Sequence, residues 1–191
     1  MERTTEDLKC ALFSGGRQEP SSAWLKGRYP KDGFGGWELY SAGFKLAADE
    51  LVSHLDEETA ADHLRHFVVY PIFFLYRHHV ELRLKKMAWR YGGTSSIPEK
   101  HALLPLWQRV AELMLEFHKS DSYSSYVNSF SKSIENHIRV FDEVDSSSVV
   151  FRYPFDSRGE LTFSDDILWI NLRELKAQVS ELTDLLDRFG E

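Results

Sequence analysis

The chain has 191 residues, of which 42% are hydrophobic, 14% aromatic and 28% charged. A chain of this length and composition forms one globular domain and buries its core without disulfides or metal, which argues against disorder. The formal net charge of −7 disfavours a general affinity for nucleic acid, which needs a basic surface, although a local basic patch is compatible with it.

Three features of the sequence bear on where the protein resides. The single cysteine, Cys10, has no partner for an internal disulfide, and a reducing compartment is then the default. The first residues lack the apolar core of a signal peptide. No apolar run approaches the roughly 20 residues of a membrane span. We therefore expect a cytoplasmic protein that does not enter a membrane.

Residues 1–36 are predicted to form an irregular N-terminal arm. Glycine and proline recur throughout this stretch and break regular structure. Its aromatic residues Trp24, Tyr29 and Phe34 indicate that parts of the arm pack on the core, and a disordered tail is the alternative. Residues 37–191 are predicted to form a helical bundle domain.

The first two helices are predicted from apolar residues at three- and four-residue spacing. The first runs from about residue 36 to 55. Its apolar face comprises Trp37, Tyr40, Phe44, Ala47, Leu51 and Leu55. The second runs from about 57 to 91 and contains Pro71, where we expect a kink or a fresh start. Over residues 72–89 it is apolar around much of its circumference, which predicts the most buried helix of the bundle.

Three further helices complete the predicted all-α antiparallel bundle. The third covers about residues 99–118, with Pro105 in its first turns, where proline is best tolerated. The fourth opens in the serine-rich stretch 120–125 and closes before the serines at 146–148. The last covers about residues 166–189.

Residues 149–163 are predicted to interrupt the bundle with a short extended segment or β-hairpin. The β-branched and aromatic residues before Pro154 favour an extended chain. The run from Asp156 to Gly159 predicts a turn, and residues 161–163 predict a return strand.

A charged ladder on the most apolar helix is the first candidate site. Arg77, Glu81 and Lys85 are spaced by four residues, so they share one helix face. The simpler interpretation is a surface ladder that contributes about a few tenths of a kcal/mol per pair. The alternative is a partly buried network, in which each charge needs a partner and which either fixes the bundle geometry or lines a cleft.

Two further residues are expected to join this ladder. His101 begins the helix that follows a short loop, and helices joined in this way are antiparallel neighbours. Arg152 lies in a segment that crosses the bundle, and its guanidinium suits a carboxylate such as Glu81. The predicted binding or structural cluster therefore comprises Arg77, Glu81, Lys85, His101 and Arg152.

The histidines do not form a recognisable metal site. His78 and His79 are adjacent and point about 100° apart on a helix, so they cannot chelate one metal. His63 and His66 could share a face, but no carboxylate or third histidine completes a ligand set. No nucleophile motif, phosphate-binding glycine loop or dinucleotide fingerprint occurs. We expect no metal and no cofactor.

Three blocks of the sequence, taken in order, resemble the HEPN superfamily. Residues 77–85, Arg-His-His-Val-Glu-Leu-Arg-Leu-Lys, are similar to the family's helix that carries Glu and Leu-Lys a turn apart. Residues 101–104, His-Ala-Leu-Leu, resemble the His-x-Leu start of its next helix. Residues 151–154, Phe-Arg-Tyr-Pro, resemble an Arg-Tyr-Pro turn before its final helix. The resemblance spans about residues 40–189.

This resemblance implies an antiparallel helical bundle that is usually dimeric. Many members of the superfamily are metal-independent ribonucleases in toxin–antitoxin, CRISPR and phage-defence systems, and others are inactive partners, often of nucleotidyltransferases. The active members carry an Arg followed by a His after four to six residues. No arginine of this chain has a histidine at that distance. No catalytic residue is therefore carried over from that motif.

We accordingly expect a non-catalytic or divergent HEPN-like homodimer in a defence, toxin–antitoxin or stress module. Its candidate partners are a nucleotidyltransferase, a kinase or RNA. The first alternative is a metal-independent ribonuclease in which Arg77 stabilises the transition-state charge, His78 or His79 moves a proton and Arg152 holds a phosphate. The second alternative is a nucleotide or small-molecule binding module.

Overall fold

The computed structural model describes residues 34–55, 62–98, 101–119, 121–163 and 169–190. Within these residues the protein is mainly helical, with five α-helices and no β-strand, which confirms the predicted all-α class. None of the helices in these ranges is long and apolar enough to cross a membrane. Nearly all of the predicted N-terminal arm, with its cysteine, lies outside the described residues.

The five helices follow the predicted order along the chain. They are α1 (Phe34–Leu55), α2 (Asp62–Gly92), α3 (Leu103–His118), α4 (Asp121–Asp145) and α5 (Leu172–Gly190). A short 3-10 turn at Thr94–Ser96 follows α2. Helix α2 packs against α1, α3 and α5, and α4 packs against α3 and α5. The centre of the bundle is therefore α2.

Helix α2 is apolar around much of its surface because neighbours cover it on several sides. Its fully buried apolar residues recur every four positions and comprise Ile72, Tyr76, Val80, Leu84 and Ala88. The fresh start predicted at Pro71 is not observed, because α2 continues through this residue. Pro71 and Phe67 are both exposed, so water can satisfy the Phe67 carbonyl that loses its amide partner to the proline.

Helix α1 turns only part of its predicted apolar face to the core, since Leu51 and Leu55 pack there as predicted. Its buried residues are Ser41, Ala48, Val52 and Leu55. Tyr40, by contrast, is 56% exposed, and Ala47 is also exposed. The predicted apolar face does not include Ser41, whose hydroxyl lies 2.9 Å from Nδ1 of the buried His79 on α2. A polar contact between two helices thus sets the orientation of α1.

Residues 149–163 begin with a helical turn and not with the predicted extended segment. The carbonyl of Val149 accepts hydrogen bonds from the amides of Arg152 and Tyr153, both at 3.0 Å. The carboxylate of Asp145 accepts the Val149 amide at 2.8 Å. Because these bonds occupy the backbone groups, the segment does not form a strand.

The predicted turn in this segment is present, but the predicted β-hairpin is not confirmed. The Gly159 amide donates to the Asp156 carbonyl at 3.0 Å, and Gly159 has a φ of +81°, a conformation that favours glycine. Beyond the turn, Phe155 and Leu161 form one isolated antiparallel bridge. Pairing stops there, so the described part of the insertion is a loop.

Helix α3 begins at Leu103, later than predicted, on a cap supplied by α4. The preceding Ala102 has no capping side chain. The carboxylate of Asp142 on α4 instead accepts the amides of Leu103 and Leu104 at 3.1 and 2.8 Å. The start of α5 is set locally, because the Asn171 side chain accepts the amide of the third residue after it, Glu174, at 3.1 Å.

Candidate functional site

Arg77 lies at the point where α2, α3 and α4 meet. Its side chain is fully buried. Its Nε donates to the Asp145 carbonyl at 2.9 Å, and its Nη2 donates to the His101 carbonyl at 2.8 Å. Its Nη1 donates to Oε2 of Glu81 at 3.4 Å. All three guanidinium nitrogens are therefore engaged by acceptors of the protein itself.

Glu81 is the buried counter-ion of this arginine. It is 1% exposed, and its Oε1 accepts from Nζ of Lys85 at 2.7 Å and lies 2.8 Å from Nδ1 of His101. Burial alone would raise the pKa of Glu81, but the neighbouring His78 and the contacts with Lys85 and His101 outweigh it and hold the pKa well below its usual range. Glu81 is therefore ionised at neutral pH.

Two aspartates of α4 complete the cluster and were missed in the sequence. Asp142 lies 3.8 Å from Nη2 of Arg77 while it caps α3. The Asp145 carbonyl accepts a hydrogen bond from Arg77, and its buried carboxylate accepts one from the Val149 amide in the loop that follows. Nothing local distinguishes them from the other acids of α4. The number of hydrogen-bond acceptors could have indicated them, since a fully buried arginine needs more acceptors than Glu81 alone provides.

Arg152 lies beside the cluster without touching Glu81. Its guanidinium carbon is 5.6 Å from the ring centroid of Phe74 and 5.6 Å from that of Tyr153. The pKa of Arg77 is lowered, chiefly by burial and also by the nearby charge of Arg152, although acidic neighbours oppose this. The structure thus brings four of the five expected residues into direct contact and places Arg152 at the edge.

The three catalytic candidates are not equally accessible. Arg77 is fully buried and His79 is 3% exposed. The Nδ1 atom of His79 lies 2.9 Å from the Ser41 carbonyl, and its Nε2 lies 2.9 Å from Oγ1 of Thr183 on α5. These residues cannot reach a substrate outside the bundle in this conformation.

His78 and His101 are the histidines of this region that a ligand could reach. The His78 side chain is 27% exposed, and its ring stacks on Phe74 with centroids 5.6 Å apart. The His101 side chain is 49% exposed. Its Nδ1 is held by Glu81, whereas its Nε2 has no hydrogen-bond partner among the described residues. A buried carboxylate therefore orients an imidazole that faces solvent.

Within the described ranges, no three His, Cys, Asp or Glu side chains gather in a way that could hold a metal ion. The predicted pair His63 and His66 contacts aromatic residues instead. His63 lies edge-on to Phe67 at 6.4 Å, and His66 lies edge-on to Trp169 at 6.1 Å.

Replacement of Glu81 with alanine is expected to lower the free energy of unfolding by about 3–5 kcal/mol, because the charge of Arg77 then stays buried without its counter-ion. The matched control is Glu112→Ala, which removes a surface pair with Arg109 at 3.0 Å. The control should cost less than about 1 kcal/mol. Urea denaturation followed by circular dichroism measures both. Equal, small losses in the two variants would show that the cluster does not hold the bundle together.

The pKa of His79 is lowered to about 4. Burial is the main cause, and the positive charges of Arg83 and Lys45 add to it. The hydrogen bond to the Ser41 carbonyl and the charge of Asp49 oppose the shift. His79 is therefore neutral at physiological pH.

The stability that neutral His79 confers should depend on pH in a defined window. An unfolded histidine titrates near pH 6.5, so between about pH 6.5 and 4 the unfolded chain binds a proton that the folded chain does not. The contribution is complete above this window and is lost as the pH falls through it, by about 3 kcal/mol in all. In urea denaturation at several pH values, His79→Gln should flatten the pH slope relative to wild type. Identical slopes would contradict this assignment.

The order of three sequence blocks carries the resemblance to the HEPN superfamily, and residues of two of these blocks meet in the cluster around Arg77. Comparison of the chain with protein-family models, with curated proteins and with solved structures found no match. The family relationship therefore stays a prediction.

Proposed function

We propose that this chain is a non-catalytic HEPN-like protein that acts as a homodimeric interaction component of a defence, toxin–antitoxin or stress module. The observation that carries the proposal is the burial of Arg77, which is inaccessible to solvent and has each of its three guanidinium nitrogens bonded to the protein. An arginine in this state cannot stabilise charge on an RNA phosphate. Two of the residues that a rearranged ribonuclease site would use, Arg77 and His79, are here bonded to neighbouring elements of the bundle.

The outward face of α1 supports self-association. Leu39 is 50% exposed and Leu46 is 61% exposed, and with Gly43 they form one stripe because they are four and three residues apart. A side chain added at Gly43 would meet no atom of the described residues within 4 Å, so a second helix can approach closely there. An exposed apolar stripe of this kind is typical of an interaction surface.

A second copy of the chain is the occupant that this stripe fits best. A two-fold interface brings a surface against itself, so it has to be self-complementary. The stripe of Leu39, Gly43 and Leu46 has no charged side chain and meets this condition, whereas the chain as a whole has a net charge of −7 and repels its copy. The remaining surface is then left for a partner such as a nucleotidyltransferase or a kinase.

Size-exclusion chromatography with light scattering tests the dimer. The wild-type chain of 22.2 kDa should elute at about twice this mass at micromolar concentration. Leu46→Glu should shift the population to monomer, because it buries an unpaired charge in the interface. The control is Val140→Glu on α4, at a site that is 59% exposed and outside the stripe, and it should stay dimeric. A monomeric wild type would contradict the proposal.

Incubation with tRNA and with generic RNA in EDTA tests the absence of catalysis. We expect the wild-type chain to leave both substrates intact, because Arg77 and His79 are buried in the core and inaccessible to RNA. Single His78→Ala and His101→Ala variants are the controls, since these two histidines face solvent. Cleavage that survives chelation and disappears in either variant would overturn the proposal in favour of the ribonuclease alternative.

A further inference from the structure

A cavity of about 360 Å³ lies between α2 and the loop at residues 150–163, outside the Arg77 cluster. Its volume falls in the range of about 300–1,000 Å³ that is usual for small-molecule sites. Aromatic rings dominate its lining, together with one cation. The lining residues that matter most are Tyr70, Phe151, Arg152, Tyr153 and Phe163.

The inner wall of this cavity is built from rings held by the core. Phe151 is buried and stacks on Phe73, with centroids 3.9 Å apart and an angle of 19° between the rings. Phe163 meets Phe151 edge-on at 5.3 Å, and Tyr70 meets Phe163 edge-on at 6.0 Å. Because these rings support one another, they present a fixed aromatic surface to a flat ligand.

The rim of the cavity leaves a large apolar surface in water. Tyr70 is 46% exposed, Tyr153 is 56% exposed and Leu161 is 64% exposed. Single exposed apolar residues are ordinary, but several around one concave site indicate that a ligand covers them. The ligand therefore has a substantial apolar part.

Arg152 supplies the charge of this cavity. Its Nε donates to the Ser148 carbonyl, and its guanidinium lies over the rings of Phe74 and Tyr153. In the part of the chain that the structure describes, its two terminal nitrogens have no hydrogen-bond partner and no carboxylate lies within 4 Å. Its positive charge contributes to lowering the pKa of Arg77, so the two arginines repel each other. An anion would gain paired, charge-assisted hydrogen bonds here and would offset that repulsion.

The loop that carries Arg152 is anchored before any ligand arrives. The buried carboxylate of Asp145 accepts the amides of Val149 and Val150 at 2.8 and 3.3 Å, and the carbonyl of Asp145 is held by Arg77. The cation and the aromatic wall are thus set in place by the core of the bundle. Such preorganisation lowers the entropy lost on binding.

We propose that this cavity binds a small planar aromatic ligand that carries a negative charge, with its ring against Tyr70 and Phe163 and its anionic group on Arg152. Two sources share this chemistry, namely a nucleoside monophosphate and an aromatic carboxylate. The site is separate from the surface that we assign to self-association, so either proposal can fail without the other.

Isothermal titration of the full chain with four probes tests this site. Adenosine monophosphate and indole-3-acetate represent the two sources of an aromatic anion. Adenosine has the aromatic ring without the negative charge, and inorganic phosphate has the charge without the ring. We expect one of the two aromatic anions to bind saturably and the two half-probes to bind at least about tenfold more weakly. The aromatic anion that binds identifies the source.

Substitutions at the rim show whether the binding is to this cavity. Arg152→Gln should weaken binding of the aromatic anion by about 10- to 100-fold, because it removes a charge-assisted hydrogen-bond pair. The matched control, Arg158→Gln, removes an arginine of the same loop that pairs with Asp156 and Glu160, and it should leave the affinity unchanged. Leu161→Glu, at an exposed rim position, should also weaken binding because its carboxylate competes for the guanidinium.

Several outcomes would overturn the proposal. These are the failure of both aromatic anions to bind, binding of phosphate alone at equal strength, and an unchanged affinity in Arg152→Gln. Both rim residues are exposed, so both variants should keep the wild-type melting temperature. If Arg152→Gln does not fold, Leu161→Glu decides the question, and an unchanged affinity in that variant counts against the site.

Discussion

The bundle depends on one buried cation and the carbonyls that receive it. The guanidinium of Arg77 is fully buried and donates to the carbonyl of Asp145, in the last turn of α4, and to that of His101, two residues before α3. The Asp145 carbonyl, at the C-terminal end of α4, has no amide partner within the helix and carries partial negative charge, so a cation suits it. Glu81 supplies the full counter-charge. The Arg77 side chain thereby fixes the position of the end of α4, and of the residues before α3, relative to α2.

This arrangement separates the polar residues of the molecule into an inner and an outer group. In the inner group, Glu81 and Asp145 are buried and their oxygens are taken up by hydrogen bonds that hold helices and loops. In the outer group, His101 and Arg152 keep ring or guanidinium nitrogens that no atom of the described residues binds. The charged pattern that looks most like a catalytic centre in the sequence therefore holds the bundle together, and the residues with unbonded nitrogens lie at its margin.

The sequence predicted most reliably what depends on residues close together in the chain. The five helices, the central burial of α2 and the shared face of Arg77 and Glu81 follow from periodicity alone. The sequence-based prediction failed where a contact with a residue far away in the chain determines the local structure. Ser41 faces the core because it bonds a histidine 38 residues away, and Asp142 joins the site because α4 ends against α2. The residues after Val149 form a turn because a buried carboxylate occupies their amides. None of these partners leaves a signal in the local sequence.

The start of α3 is capped by a side chain of α4, which has a consequence for how the chain folds. The amides of Leu103 and Leu104 find their acceptor on Asp142, 39 and 38 residues further along. While the chain is being synthesised, the hairpin of α2 and α3 emerges before α4 and has neither this cap nor the Asp145 carbonyl, one of the two that accept from Arg77. Local helix formation can proceed, but the contacts that make the hairpin stable arrive together with the last turn of α4. We therefore expect α2, α3 and α4 to gain part of their stability together, once the last turn of α4 has formed.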